Sequence, residues 1–319
     1  MTEAVAQATS TDTHTRRQAV IGWSAALVSA AAFGTSGAFA KPLLASGWSA
    51  GAVVAVRLGL AAVVLLIPGL IALRGRWGLL RDHWVPLACY GVFGGATAQV
   101  AFFNAVQYVP VALGLLLEYL GILLVVAWVA LRGRRLPSRL TLIGVAVAIT
   151  GLVIVLDPAG MSGLDPRGLA WGLLAACGLA VYFVVSARPM TLPPLTFVSV
   201  GLSVGTVAIL IAGLVGLMPL RASTADVSFV GVTLPWWLPL VELALVAAAA
   251  AYALGFVGVQ HLGSTVASFV GLTEVLFAVA WAWLLLAELP GLLQLVGGII
   301  LLAGVAAVQR GQASELRPG

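Results

Sequence analysis

Charge is what this chain has least of. Only 8% of its 319 residues are Asp, Glu, Lys or Arg, against about a quarter in soluble domains. Hydrophobic residues make up 61% and the mean hydropathy is +1.11, more apolar surface than a water-soluble fold of this length can hide. Cysteine and histidine are scarce as well, at 2 and 3. Two cysteines in apolar runs, Cys89 and Cys177, make no disulfide framework and read as small buried hydrophobes. Three scattered histidines supply no metal-ligand spacing, and no His-Glu-x-x-His or comparable nucleophile–base cluster occurs, which argues against a membrane-embedded enzyme. No cofactor is implied. The net charge of +5 reflects Arg in short loops rather than a nucleic-acid-binding surface.

What the chain does have is a copy of itself. Residues 103–155 read onto 256–308 without a gap at an offset of 153, with 15 identities in 53 positions, where chance in so apolar a chain gives roughly five or six. The shared landmarks are Phe103/Phe256, Gln107/Gln260, Trp128/Trp281, Pro137/Pro290, Gly144/Gly297 and Gly151/Gly304. Lys41-Pro42 and Arg188-Pro189 extend the match to the first helix of each half at an offset of 147. One loop differs in charge: Arg132-Gly-Arg134-Arg135 becomes Leu285-Leu-Ala-Glu288. Basic loops mark the cytoplasmic side, so related segments with opposite loop character point to opposite insertion, the plan of many secondary transporters.

Apolar stretches long enough to cross about 30 Å of hydrocarbon fall at 19–40, 52–73, 84–105, 110–131, 138–156, 167–188, 195–217, 236–257, 264–286 and 290–309. The expected fold is an all-α polytopic membrane protein, ten transmembrane helices as two inverted five-helix repeats. Its expected segments are a disordered cytoplasmic N-terminus (1–18), a first repeat (19–156), an outer linker (157–166), a second repeat (167–309) and a cytoplasmic tail (310–319). Arg16-Arg17 before an apolar run superficially suggests a cleaved signal, but the repeat needs that run as its first helix. With both termini cytoplasmic, twelve Lys or Arg lie inside and three outside, Lys41, Arg167 and Arg221, a strong orientation bias. Trp48, Trp236 and Trp237 then read as outer interfacial anchors, and Trp23, Trp77 and Trp84 as inner ones. The outer loop 218–235 reads as a mobile cap or linker. Glycine, at 37 residues, reads as close helix packing, notably at Gly91/Gly95, Gly168/Gly172 and Gly201/Gly205.

Ionisable side chains inside a span cost about 2.5–3.5 kcal/mol each on insertion scales, so they should face a partner or a cavity. Four qualify: Arg57, Glu118, Glu242 and Glu274. Glu118 and Glu274 lie nearest the middle of spans four and nine. Glu274 maps onto Gly121, three residues from Glu118, so the two acids share the equivalent helix face. Gly114 and Gly121 flank Glu118 and should leave room beside it. A roomy mid-membrane carboxylate suits proton coupling or a substrate ammonium; the alternative is a structural lock between helices. Arg57 and Glu242, at similar depth, suggest an ion pair, as do Arg57 and Glu118. Gln99 and Tyr182 could bond a ligand, and Phe33, Phe103 and Phe183 could wall its pocket.

Together these residues resemble the drug/metabolite transporter superfamily, EamA type, over most of residues 20–309. The resemblance is carried by Ala267-Ser-Phe-Val-Gly-Leu-Thr-Glu274, Leu286-Ala-Glu288-Leu-Pro290, Gln294, Gly297 and Gly304, and by Arg57-Leu-Gly-Leu-Ala-Ala62. Leu117-Glu118-Tyr-Leu-Gly121 is similar to the branch holding threonine/homoserine exporters. Arg134-Arg135 stands where the family has Gly-Glu, and Thr141 where it has Gln, which points to topology rather than recognition at that end. The resemblance implies ten helices in two inverted five-helix repeats, a central cavity and alternating access. The expected function is export of small polar metabolites such as amino acids or amines across the bacterial cytoplasmic membrane, with possible proton coupling. Expected partners are the lipid bilayer and a small-molecule substrate, with a homodimer left open. A channel or a non-transporting scaffold is the alternative.

Overall fold

A computed structural model describes residues 2–133, 138–156, 165–186, 188 and 190–315. Arg134, Arg135, Arg317 and most of the linker 157–166 lie outside them. The first helix, α1 (Thr2–Ala45), runs through the residues expected to be disordered; that stretch holds neither Gly nor Pro to stop it. After α1 come α2 (Ala50–Leu73), α3 (Gly78–Asp82), α4 (Trp84–Cys89), a π-helical segment (Tyr90–Thr97) and α5 (Ala98–Ala105). The first half closes with α6 (Val111–Tyr119), α7 (Gly121–Gly133) and α8 (Arg139–Leu156). The second half comprises α9 (Pro166–Ser186), α10 (Pro194–Leu214), strands β1 (Val227–Phe229) and β2 (Val232–Leu234), α11 (Trp237–Ala244), a second π segment (Leu245–Ala250), α12 (Ala251–Gly271), α13 (Thr273–Leu286) and α14 (Leu292–Glu315).

Local chemistry sets several boundaries. Ser49 caps α2, its hydroxyl accepting from the Ala52 amide at 3.3 Å, and Arg74 ends it in the left-handed region. Asp165 sits before Pro166 and accepts the Arg167 amide at 2.8 Å. Bonds from the Arg167 side chain hold the Asp165 carboxyl below the usual carboxylate range.

Among the described residues, eight stretches are long and apolar enough to cross a membrane: Gln18–Ala45, Ala50–Leu73, Trp84–Ala105, Val111–Trp128, Pro166–Ser186, Pro194–Leu214, Trp237–Leu262 and Leu292–Gly311. The two remaining sequence-predicted spans fall on shorter apolar helices, Arg139–Val155 and Thr273–Leu286. Span nine is short because α12 continues through its expected start at 264, and the helix breaks instead at Leu272.

Packing follows a crossed pattern: α1 lies against α12 and α13, while α9 lies against α5, α6 and α7. Two further pairs join the halves, α2 with α10 and α8 with α14. In the last pair, a Cβ on Gly144 would stand 2.7 Å from the Val308 nitrogen, and one on Gly297 2.7 Å from the Val155 nitrogen. Gly304 likewise meets Ala148, and Gly311 meets Thr141. Rising numbers on one helix meet falling numbers on the other, so α8 and α14 are antiparallel. The offset of 153 converts the Gly144–Val308 contact into Gly297–Val155. Thr196 at one end bonds the Gly69 carbonyl at 2.6 Å and Thr206 at the other touches Gly59, so α2 and α10 are antiparallel too.

Three expectations are corrected. The loop 218–235 contains a β-hairpin, pairing Val227 with Leu234 and Phe229 with Val232, so the fold is not purely helical. Trp48 is no lipid-facing anchor: it is buried, stacks on Trp236 with centroids 5.9 Å apart, and donates to the Ser223 carbonyl at 2.7 Å. Neither cysteine is buried; Cys177 is exposed on the bundle surface.

Candidate functional site

Arg57 sits at the centre, 2% exposed. Its guanidinium donates to Gln99 Oε1 at 2.7 Å, Ser36 Oγ at 2.9 Å and the Ala247 carbonyl at 2.9 Å, and lies 5.4 Å from the Phe103 ring centroid. These groups come from α5, α1 and the second π segment, so both halves hold one cation, itself carried by α2. The expected ion pair with Glu242 or Glu118 does not form. Neutral acceptors take its place, and Nε is buried without a partner. Burying a guanidinium is costly unless its N–H groups are bonded, and three elements supply acceptors to it.

Glu242, Glu274 and Glu118 each lie within electrostatic reach of this cation. Glu118 is buried, and among the described residues no side chain or amide donates to it. Glu274 is the charged group that acts on it most strongly. Glu274 Oε2 accepts from the Tyr119 hydroxyl at 3.2 Å. Glu242 Oε1 lies 2.6 Å from the Thr35 hydroxyl, which is also 2.6 Å from the Ala32 carbonyl. One hydroxyl proton serves one acceptor at a time, so the Ala32 carbonyl and Glu242 compete for it. Glu242 Oε2 is buried without a partner.

Backbone irregularities frame the cluster. The π segments end at Thr97 and Ala250, residues matched by the offset of 153, so α5 and α12 begin at equivalent positions and Gln99 corresponds to Tyr252. A π segment widens the helix and turns carbonyls away from the regular ladder. Ala247 uses one for Arg57, and Thr97 bonds the Val92 carbonyl at 2.8 Å. Spans four and nine are also interrupted, at Leu120 and Leu272, beside Glu118 and Glu274. The carbonyls released at the second break are taken by Thr273 Oγ1 on Val270, at 2.6 Å, and by the Tyr119 hydroxyl on Gly271, at 3.3 Å. Broken helices at a polar centre are a recurring way to build an intramembrane binding site.

The predicted outer end is closed above the cluster. The Glu288 carboxylate takes Lys41 on one oxygen and the Val111 amide, at the start of α6, on the other at 3.2 Å. Over it lies the hairpin. Val227 is fully buried, Phe229 packs on Phe39 at 5.4 Å, and the Val230 amide donates to the Leu285 carbonyl at 3.0 Å. Ser49 ties the preceding loop through Pro219 and Arg221.

Of the six sequence-predicted site residues, Arg57, Gln99, Glu118, Glu242 and Glu274 gather around this centre. Tyr182 lies in the adjoining layer against Tyr90 at 5.4 Å and Phe183 at 5.3 Å. The space expected beside Glu118 is absent on its glycine face: Gly121 abuts the Ala176 carbonyl, and Gly114 abuts Val106 and Phe102. Sequence reasoning missed Thr35, Ser36, Tyr119 and Tyr252. Their signal is a hydroxyl in an otherwise apolar run, weak because such residues also bond their own helix.

The model of the EamA-like transporter family matches residues 20–157 and again 166–309. An uncharacterized inner membrane transporter of Salmonella typhimurium, YicL, is 24% identical over 168 residues, 51% of this chain and 56% of its own length. An uncharacterized transporter of Archaeoglobus fulgidus is 27% identical over 237 residues, 72% of this chain and 80% of its own. A solved crystal structure at 21% identity superposes over 92% of this chain and 97% of its own with a TM-score of 0.57.

Proposed function

The chain belongs to the EamA-like transporter family, a multi-pass membrane transporter, and on that premise we propose that it is a secondary carrier exporting small polar metabolites, amino acids or amines, by alternating access. The observation that carries this reading is a buried Arg57 bonded by groups of both halves, with Glu118, Glu242 and Glu274 within electrostatic reach of it. A scaffold has no use for four ionisable groups whose burial is costly. The reading takes ten helices in two inverted repeats, with the two shorter apolar helices completing the count. Support comes from the family match in two copies and from the reciprocal glycine contacts of antiparallel α8 and α14. It places both termini in the cytoplasm of a bacterial cell, on the strength of the arginine distribution.

In this mechanism the halves rock about the polar centre. Lys41–Glu288 and the hairpin close the outer mouth, and separation of α1 from α13 opens it. Protons ride on the acids when substrate is absent. The test is a metabolite-resistance screen on cells lacking and overexpressing the protein, followed by counterflow in proteoliposomes. Saturable, substrate-selective flux is expected; flux rising linearly with concentration makes the protein a channel, and no flux makes it a scaffold.

A further inference from the structure

The turn joining α2 to α4 carries positive charge with little to balance it. Arg74, Arg76 and Arg81 stand against one acid, Asp82, and all four are exposed. Arg188, exposed too, lies at the same end of the bundle. Beyond it the Thr196 hydroxyl bonds the Gly69 carbonyl near the end of α2, and Met190 and Leu192 share an apolar cluster with Leu73, Leu79 and Leu80. Neither ion pair found among the described residues, Lys41–Glu288 or Arg167–Asp165, involves these arginines.

The turn is anchored from beneath. Leu73 is fully buried, and the backbone closes through Arg76 to the Leu73 carbonyl, Leu79 to Arg76 and His83 to Leu79, each at 3.1 Å. Its outer face shows guanidiniums beside Trp77 and Trp84, 60% and 66% exposed. Indoles favour the headgroup layer, the depth of a turn between two membrane-crossing helices. Insertion bias explains the charge but not its placement. Arg74 ends α2 with φ at +51°, a conformation that costs an ordinary side chain about 1 kcal/mol more than glycine. Insertion needs positive charge near the span, and an unstrained neighbouring position would supply it. A strained residue kept in place points to a use for its position. Guanidinium forks match phosphate oxygens, and a membrane surface of anionic lipid attracts basic residues. We propose that residues 74–84, with Arg188, bind the headgroup of an anionic phospholipid, its phosphodiester on the arginines and its acyl chains beside Trp77 and Trp84. The site is independent of what the protein carries.

The test uses the full chain in detergent micelles, heated with phosphatidylglycerol, with phosphatidylcholine or with soluble glycerol phosphate. Phosphatidylglycerol should raise Tm by about 2 °C, and the other two should leave it unmoved. Equal shifts with both lipids overturn the proposal, as does a glycerol phosphate shift matching that of phosphatidylglycerol. Arg74→Lys, Arg76→Lys and Arg81→Lys together keep every charge but lose the forks, so the lipid-dependent rise should fall by at least half. An undiminished rise shows that charge alone suffices and removes the site. Arg74→Gly relieves the strain, so Tm without lipid should increase while the further rise given by phosphatidylglycerol shrinks. A rise as large as in the wild type counts against Arg74 as a ligand and against the proposal. No flux enters these measurements, so their failure leaves the carrier reading standing.

Discussion

The Tyr119 hydroxyl lies 3.2 Å from Oε2 of Glu274, joining the interrupted span of the first half to that of the second. Both residues stand beside their helix breaks, so the contact ties the two irregular points to each other. Tyr119→Phe removes a donor shared with the Gly271 carbonyl. It should lower stability by about 1 kcal/mol while the protein still folds. Exchange flux in proteoliposomes should drop several-fold; wild-type flux would separate this bond from transport.

Glu118→Gln keeps the shape of the side chain and removes its titration. Substrate-driven pH change inside proteoliposomes should disappear while the variant still binds ligand. Identical proton movement in variant and wild type removes Glu118 from coupling.

At the predicted outer end, Glu288→Gln weakens a carboxylate that holds both Lys41 and the start of α6. Ala40 is fully buried on α1, one residue from Lys41. With Cys89 and Cys177 replaced by serine, Ala40→Cys should react with an impermeant maleimide several-fold faster once Glu288→Gln is added. Equal rates would mean that this contact does not close the outer mouth.

Ala287 holds φ at +55°, in the left-handed region, at the end of α13. A side chain there costs about 1 kcal/mol relative to glycine. Ala287→Gly should therefore stabilise the protein by a similar amount, read as a higher midpoint of unfolding.

Gly144 and Gly297 occupy reciprocal seats between α8 and α14, each with partner backbone 2.7 Å from where a Cβ would stand. Gly144→Val and Gly297→Val should each destabilise by about 1–3 kcal/mol. Gly298→Ala, whose Cβ would meet only a Leu116 methyl at 3.4 Å, should be tolerated. Unequal effects at the reciprocal pair would count against a duplicated packing unit.

Much of this arrangement is readable from residue order. Long apolar runs name their own helices, and a buried Arg or Glu announces itself because hydrocarbon tolerates neither. The offset of 153 anticipates that Gly144 and Gly297 do the same job. What escapes is anything set by partners distant in sequence. Arg57 could be expected to seek a carboxylate, yet it finds Gln99, Ser36 and Ala247, since a π segment turns a carbonyl toward it and no pattern of residue types encodes that turn. Trp48 looks like a lipid anchor until the loop from Pro219 folds over it. Leu272 breaks a helix with no proline or β-branched residue of its own to signal it.

In the carrier proposed above, the hairpin between α10 and α11 guards one mouth only. The corresponding turn of the first half, between α2 and α4, holds the short helix α3 and no strands. A device with a tethered cover on a single opening works unequally in its two directions. Detailed balance forbids the cover from setting where substrate accumulates, but it biases the resting population toward the uncovered side. Half-saturation should thus be reached at a lower concentration from the interior than from the exterior, an inequality that deleting residues 227–234 ought to erase.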